Sequence, residues 1–434
     1  MMSSLRWSIC CTLLLPLAGA AADRLSWPAK DGPTLNGLAD PDEARGLPTT
    51  WDAETGEHIV WKLPLEGAGH STPVIAGERL WFTSATEDGK QQFVEQVHTR
   101  TGQLLRRKLL FENSDPEPLG NAVNTYASPT CVLEPDALYV HFGSYGTARL
   151  DPQTLDVVWQ RRDLPCRHFR GPGSSPAVDG DLLILTFDGV DQQYLAALNK
   201  HTGHTVWRTD RSTDYHDLDP SGKPKADGDL RKAYSTPAIV DVAGRRQIIS
   251  PGSRAAFGYD LLTGAEIWTI THPDFNACAR PLRFENLIIL TTGSKAEVIA
   301  VRLDETTKGN VDASHVVWKR TRGGPKLPWP VIVNERLFLL TDNGVLYCLD
   351  PRTGEELKAH RLGGFFVASP VAANGLLYVC DEAGVASVIK ADESLEVVAQ
   401  NKLTEGMRAS PAIAQGALYL RTFSHLYKIA GRNP

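Results

Sequence analysis

Ser235-Thr236-Pro237-Ala238, then Tyr259-Asp260-Leu261-Leu262-Thr263-Gly264, then Trp268 are the residues whose reading decides the fold. A small hydroxyl residue and a proline open one apolar run. Proline cannot donate to a sheet ladder, so it suits the first residue of a strand. A later apolar run ends in Asp, Thr-Gly makes a turn, and tryptophan marks the run after it. Runs rich in Val, Ile, Leu and Tyr, cut by Gly, Pro, Asn and Asp, read as short strands. No long helical periodicity interrupts them.

The same phrase returns along the chain. Its opening recurs at Ser71-Thr72-Pro73-Val74, Ser128-Pro129, Ser175-Pro176-Ala177-Val178, Ser369-Pro370-Val371 and Ser410-Pro411-Ala412-Ile413. Weaker copies stand at Arg280-Pro281-Leu282 and Trp329-Pro330-Val331-Ile332, which makes eight. The turn recurs at Leu349-Asp350-Pro351-Arg352-Thr353-Gly354. Trp61, Trp159, Trp207, Trp268 and Trp318 share one slot on the fourth run, while Arg106 and Lys358 fill it elsewhere. Eight units of four strands predict an all-β, eight-bladed β-propeller over residues 51–434. Its strands are lettered A to D from the channel outwards. A fourth-strand phrase, Thr55-Gly56 to Trp61, precedes any first-strand phrase, and the chain ends on a third-strand phrase, Ser424 to Ala430. The N-terminal strand is therefore expected to complete the last blade and remove two raw edges.

Residues 1–22 read as a signal peptide. Arg6 is followed by the apolar run Ile9 to Leu17 and by small residues Ala18 to Ala22. No other stretch is long enough to span a bilayer. The expectation is an exported protein, periplasmic or extracellular, without the cysteine of a lipoprotein at the cleavage site. Residues 23–50 are left as an N-terminal extension. Cys10 and Cys11 would leave with the signal, and Cys131, Cys166, Cys278, Cys348 and Cys380 are too widely spaced for a disulfide framework or a zinc site. A formal net charge of −6 over 434 residues argues against a nucleic-acid partner.

Function is sought where the repeat departs from itself. The connection from the tryptophan slot to the next proline is short from Trp61 to Pro73 and from Trp318 to Pro330. It is much longer from Arg106 to Pro129, from Trp159 to Pro176 and from Trp207 to Pro237. These three D-to-A loops belong to consecutive blades and crowd one side of one face, where repeat proteins build binding surfaces. Whether the 209–232 loop plugs the funnel is left open. Residues one and three before each proline should point alike on a strand. They place His70, Tyr126, Tyr234 and Arg408 with Arg280 and Trp329 around the channel mouth, and Arg170 lies close by. Such a basic, aromatic funnel suits an anionic planar ligand or an acidic peptide end. The alternative is that these cations are solvated or already paired. Asp217 to Gly222 resembles half a calcium loop, but Gly228 stands where a bidentate Glu is needed. No metal site is assigned.

The Asp/Asn-x-x-Thr-Gly-x-x-x-Trp phrase resembles the tryptophan-docking motif of quinoprotein-type, PQQ-like propellers. Asp260 to Trp268 and Asn199 to Trp207 match fully, and Asp151 to Trp159 has Leu155 in place of Gly. The resemblance implies that Trp61, Trp159, Trp207, Trp268 and Trp318 pack between blades. It also implies two functions. One is a non-catalytic BamB-like scaffold that binds an envelope protein or peptide, or a small anionic ligand, with no cofactor. The other is a dehydrogenase carrying PQQ and calcium, with Trp329 and Arg280 offered to the quinone. No calcium triad or catalytic Asp is evident in the sequence for the second.

Overall fold

The computed structural model describes residues 24–431, so the expected signal peptide with Cys10 and Cys11 lies outside the described residues. Eight antiparallel sheets make eight blades. Blade I is Val74–Ala76, Arg79–Ala85, Gln91–His98 and Leu104–Glu112. Blade VIII is Ala412–Ala414, Ala417–Arg421 and His425–Ala430, completed by Ile59–Pro64 from the other end of the chain. In that closing ladder Trp61 faces Lys428 and Leu63 faces Leu426. The last blade is thus closed by the N-terminal strand, as the order of the repeats predicts.

Two blades carry a fifth strand. Leu25–Trp27 pairs with Val74–Ala76 on the channel side of blade I. Gly309–Asn310 runs parallel to Glu266–Thr271 on the outside of blade IV. The core lies between blades rather than within them. Tyr139 and Leu164, for example, pack with Leu183, Leu185 and Phe187 of the next sheet.

Tryptophan and glycine hold the blades in register. Trp61, Trp159, Trp207 and Trp318 each donate an indole N–H to a carbonyl in the next blade's turn: Thr99, Lys200, Leu261 and Pro351, at 2.9–3.1 Å. The acceptor is always the residue after the turn's first position. Each ring lies on the turn glycine: Gly102, Gly203, Gly264 and Gly354. A Cβ on Gly203 would stand 2.8 Å from the ring of Trp159, so nothing larger fits there.

The exceptions follow from the same geometry. Arg106 and Lys358 stack no ring on the following turn. Those turns carry Leu155 (φ 61) and Leu395 (φ 49), both fully buried, where the others carry glycine. A left-handed non-glycine residue costs about 1–2 kcal/mol, and burying a leucine returns about 1.5–3 kcal/mol. At the turn of Leu395 leucine thus fills the gap, and at the turn of Leu155 it packs in one cluster with Trp81, whose indole comes from the second strand of blade I and donates to Pro152 O at 3.0 Å. Trp268 departs from the expected docking. The fully buried indole packs in the core between blades IV and V, but it lies against Gly258 and donates to Gln247 of its own blade at 3.0 Å. The reason is the inserted Gly309–Asn310 strand, which pairs directly with Trp268 and Thr269.

Gly203→Leu should therefore destabilise the protein by about 3 kcal/mol, as an overpacked site does. Adding Trp159→Ala should recover about 1–2 kcal/mol of that loss. Equilibrium urea unfolding of the four members of the cycle measures the coupling, and strict additivity would contradict the stacking account.

Candidate functional site

The site is built from the floor upward. Residues 24–50, which fall outside the repeat, cross the A–B end of the channel. Leu133 N–H donates to Pro28 O at 2.8 Å, and Ala372 N–H donates to Gly37 O at 2.8 Å. Gly416 N–H donates to Glu43 O at 2.7 Å, and the Arg280 guanidinium donates to Leu35 O at 2.6 Å. One strap therefore touches blades II, V, VII and VIII after pairing with blade I. Above it lies a cavity of about 370 Å³ that faces the D-to-A loops. Below Lys30 and Trp329, which border both, is a smaller chamber of about 120 Å³.

The cup gathers most of the residues that the sequence placed at the mouth. His70, Arg170, Tyr234, Trp329 and Arg408 line it. Arg280 borders the lower chamber instead. Tyr126 lies under the rim: its hydroxyl donates to Glu117 O at 2.9 Å and its ring meets Tyr145 edge-on. Each departure has its own cause. The strap draws Arg280 down to Leu35, and the Glu117 loop draws Tyr126 aside.

The charges at the mouth are largely spoken for. Arg170 makes a two-pronged pair with Asp229 at 2.8 and 2.6 Å. Arg408 pairs with Glu382 at 2.5 Å and also reaches the carbonyls of Ala122 and Val123. Burial, with Arg408 and Arg421 nearby, pushes His70 down to about 3, so its ring is neutral. Burial pushes Lys30 down to about 8 against the pull of Asp31 and Cys278. Its ammonium lies 3.8 Å from the centroid of the Trp329 ring.

The long loops form one wall. Glu117 of the first accepts from Arg167 at 3.0 Å and from Phe169 N–H at 2.7 Å in the second. The third joins the second through Arg170–Asp229 and through Lys232, which donates to His168 O. Residues 209–232 contribute nothing to the cup's lining, so that loop stands beside the mouth and does not plug it. Beside the wall, where the first loop meets Arg408, the rim carries two exposed aromatics. There Phe365 and Phe423 are 46% and 45% exposed, on either side of Arg408.

The residues do not suit a quinone with calcium. Trp329 is 5% exposed and one face is under Lys30, so it offers no open ring to stack on. Arg280, the other candidate, is below the floor. Among the described residues no three His, Cys, Asp or Glu side chains group as metal ligands.

Lys30 and Asp342 are site residues that sequence reading missed. Lys30 sits in Ala29-Lys30-Asp31-Gly32, outside the repeat, and only the path of the strap brings it inward. Asp342 occupies a B–C turn, where register with the other blades was the available signal.

Comparison with known proteins fits this geometry. The family described as outer membrane protein assembly factor BamB matches residues 43–163, 167–330 and 307–422. Tetrathionate hydrolase of Acidithiobacillus ferrooxidans is 24% identical over 268 residues, covering 59% of this chain and 49% of that protein. The chain thus spans about half the length of the curated relative it matches. Among solved structures, BamB from Moraxella catarrhalis superposes with a TM-score of 0.59 at 12% identity, over 86% of this chain and 99% of that one. A europium-containing methanol dehydrogenase gives 0.70 at 10% identity, over 94% and 98%. The quinohemoprotein alcohol dehydrogenase of Comamonas testosteroni gives 0.66 at 13% identity, over 96% and 82%. At these identities the structural likeness concerns the fold alone.

Four histidines set the acid limit, His70 in the cup and three buried behind it. The His168 Nε2 accepts from Ser144 N–H at 3.0 Å, and the His272 Nδ1 accepts from Asp274 N–H at 3.3 Å, so both rings are neutral. Burial holds His168 well below its ordinary value of 6.5 and brings His141 to about 3 and His272 to about 4. The unfolded chain takes up these protons as pH falls through 6.5 and the folded chain does not. Their contribution is intact above that pH and is lost below it, by about 1.4 kcal/mol per histidine per pH unit. Urea unfolding at a series of pH values should show this slope. His272→Gln, which keeps an acceptor, should reduce it by one proton.

Proposed function

Because the chain belongs to the family of outer membrane protein assembly factor BamB, we propose that it is a non-catalytic envelope propeller that docks a protein partner on its D-to-A face. The observation that carries this reading is the lopsided rim. Three loops of consecutive blades are tied into one wall. The rim beside it presents Phe365 and Phe423. Exposed aromatic side chains beside an arginine are the usual anchors of a protein interface. The mouth's arginines are held by Glu382 and Asp229, so they shape the rim more than they attract anions.

The covered face of Trp329 supports this reading over a PQQ-dependent dehydrogenase. The reading places the protein in the envelope after export. No helix among the described residues is long and apolar enough to cross a membrane.

A photo-crosslinking amino acid at position 365 or 423 should capture the partner in the cell. The same group at Leu262, 73% exposed on a C–D turn of the opposite face, should not. Phe365→Ala with Phe423→Ala should weaken capture by about tenfold or more, with the melting temperature unchanged. Equal capture from position 262, or none from the rim, would overturn the docking face.

A further inference from the structure

Of the charges that line the cup without an ion-pair partner among the described residues, Lys326 is exposed to solvent and two others are covered. The first is Asp342, 9% exposed, in the cup wall. One carboxylate oxygen, Oδ1, accepts from the backbone N–H groups of Lys326 at 2.8 Å and Leu327 at 3.3 Å. Among the described residues Oδ2 accepts no hydrogen bond and no cation pairs with this carboxylate. The other acids at the mouth differ: Asp229 holds Arg170, and Glu382 holds Arg408. In the next blade the acid in register with Asp342 is Glu382, because Asp381 N–H donates to Val385 O as Thr341 N–H donates to Val345 O, so the matching acid is one that already holds an arginine.

The second is Lys30 on the floor. Its ammonium rests on the Trp329 ring and, among the described residues, makes no ion pair. A buried charge without a partner is costly, and a ligand that supplies the partner recovers that cost. Lys30 and Asp342 border one cavity yet do not pair with each other. A ligand of one sign would answer one of them and repel the other. A ligand carrying both signs answers both and brings no net charge into the cup. Leu327 and Val367 supply an apolar wall beside them. A cavity of about 370 Å³ is at the small end of ligand sites.

We propose that the cup binds a small zwitterion of the free amino-acid type. Its ammonium is held by Asp342, its carboxylate by Lys30, and its side chain lies against the apolar wall. The site lies below the rim and does not rest on the docking reading, since loss of rim crosslinking leaves it intact.

The test is calorimetric titration and thermal shift of the whole protein with each standard amino acid. L-Leucine is run beside its two halves, 3-methylbutylamine and 4-methylpentanoate. At least one apolar amino acid should raise the melting temperature in a concentration-dependent way. For leucine, either half alone should bind about tenfold or more weakly. Asp342→Asn and Lys30→Gln should each weaken the binding amino acid by about tenfold or more, and Lys30→Arg should restore it. Near-ultraviolet circular dichroism checks that the variants are folded. If Lys30→Gln does not fold, Asp342→Asn and the two half-molecules decide. Three results would overturn the proposal: no amino acid binding at millimolar concentration, halves that bind as tightly as the zwitterion, or variants that bind as the unaltered protein does.

Discussion

The ladder between Ile59–Pro64 and His425–Ala430 is the constraint on which the rest of the molecule depends. It joins the first repeat strand to the last and turns an open row of sheets into a ring without raw edges. It also decides where residues 24–50 must go. The closing strand is the outermost of blade VIII, so the chain before it has the A–B face of the ring to cross. It starts as an inner strand of blade I, passes beneath the channel and returns over blades VII and VIII. A through-channel becomes a cup because the ring is closed by its N-terminal side.

Much of this was legible in the sequence. The Ser-Pro phrase and the tryptophan slot repeat with the blade, so blade number, strand order and closure could be read from spacing. The long loops could be placed on one side because a loop's position follows from its blade. His70, Arg170, Tyr234, Trp329 and Arg408 were legible as neighbours because strand register carries them to one mouth. What could not be read depends on contacts that repeat nowhere. Lys30 belongs to a segment with no register. Arg280 follows Leu35, Tyr126 follows Glu117, and Trp268 follows the inserted strand at Gly309.

The blade junctions show how one interaction propagates through the sequence. A stacked indole needs glycine beneath it, and a junction whose fourth strand lacks the indole accepts leucine at the same left-handed position. Arg106 with Leu155 and Lys358 with Leu395 are two such solutions in one chain. The departures from the docking phrase are therefore alternative packings of the same gap. They keep the ring closed, and with it the cup.

The strap has a consequence for when the cup can exist. Its floor comes from the first described residues, and its walls come from blades spread over the rest of the chain. Leu35 meets Arg280, and Glu43 meets Gly416, across most of the sequence. These are among the most non-local contacts in the fold, and contacts of that kind form late because loop closure precedes them. A chain still emerging N-terminus first has the floor but no wall to lay it on. The cup is therefore absent from every incomplete ring. An occupied cup certifies that the last strand has arrived.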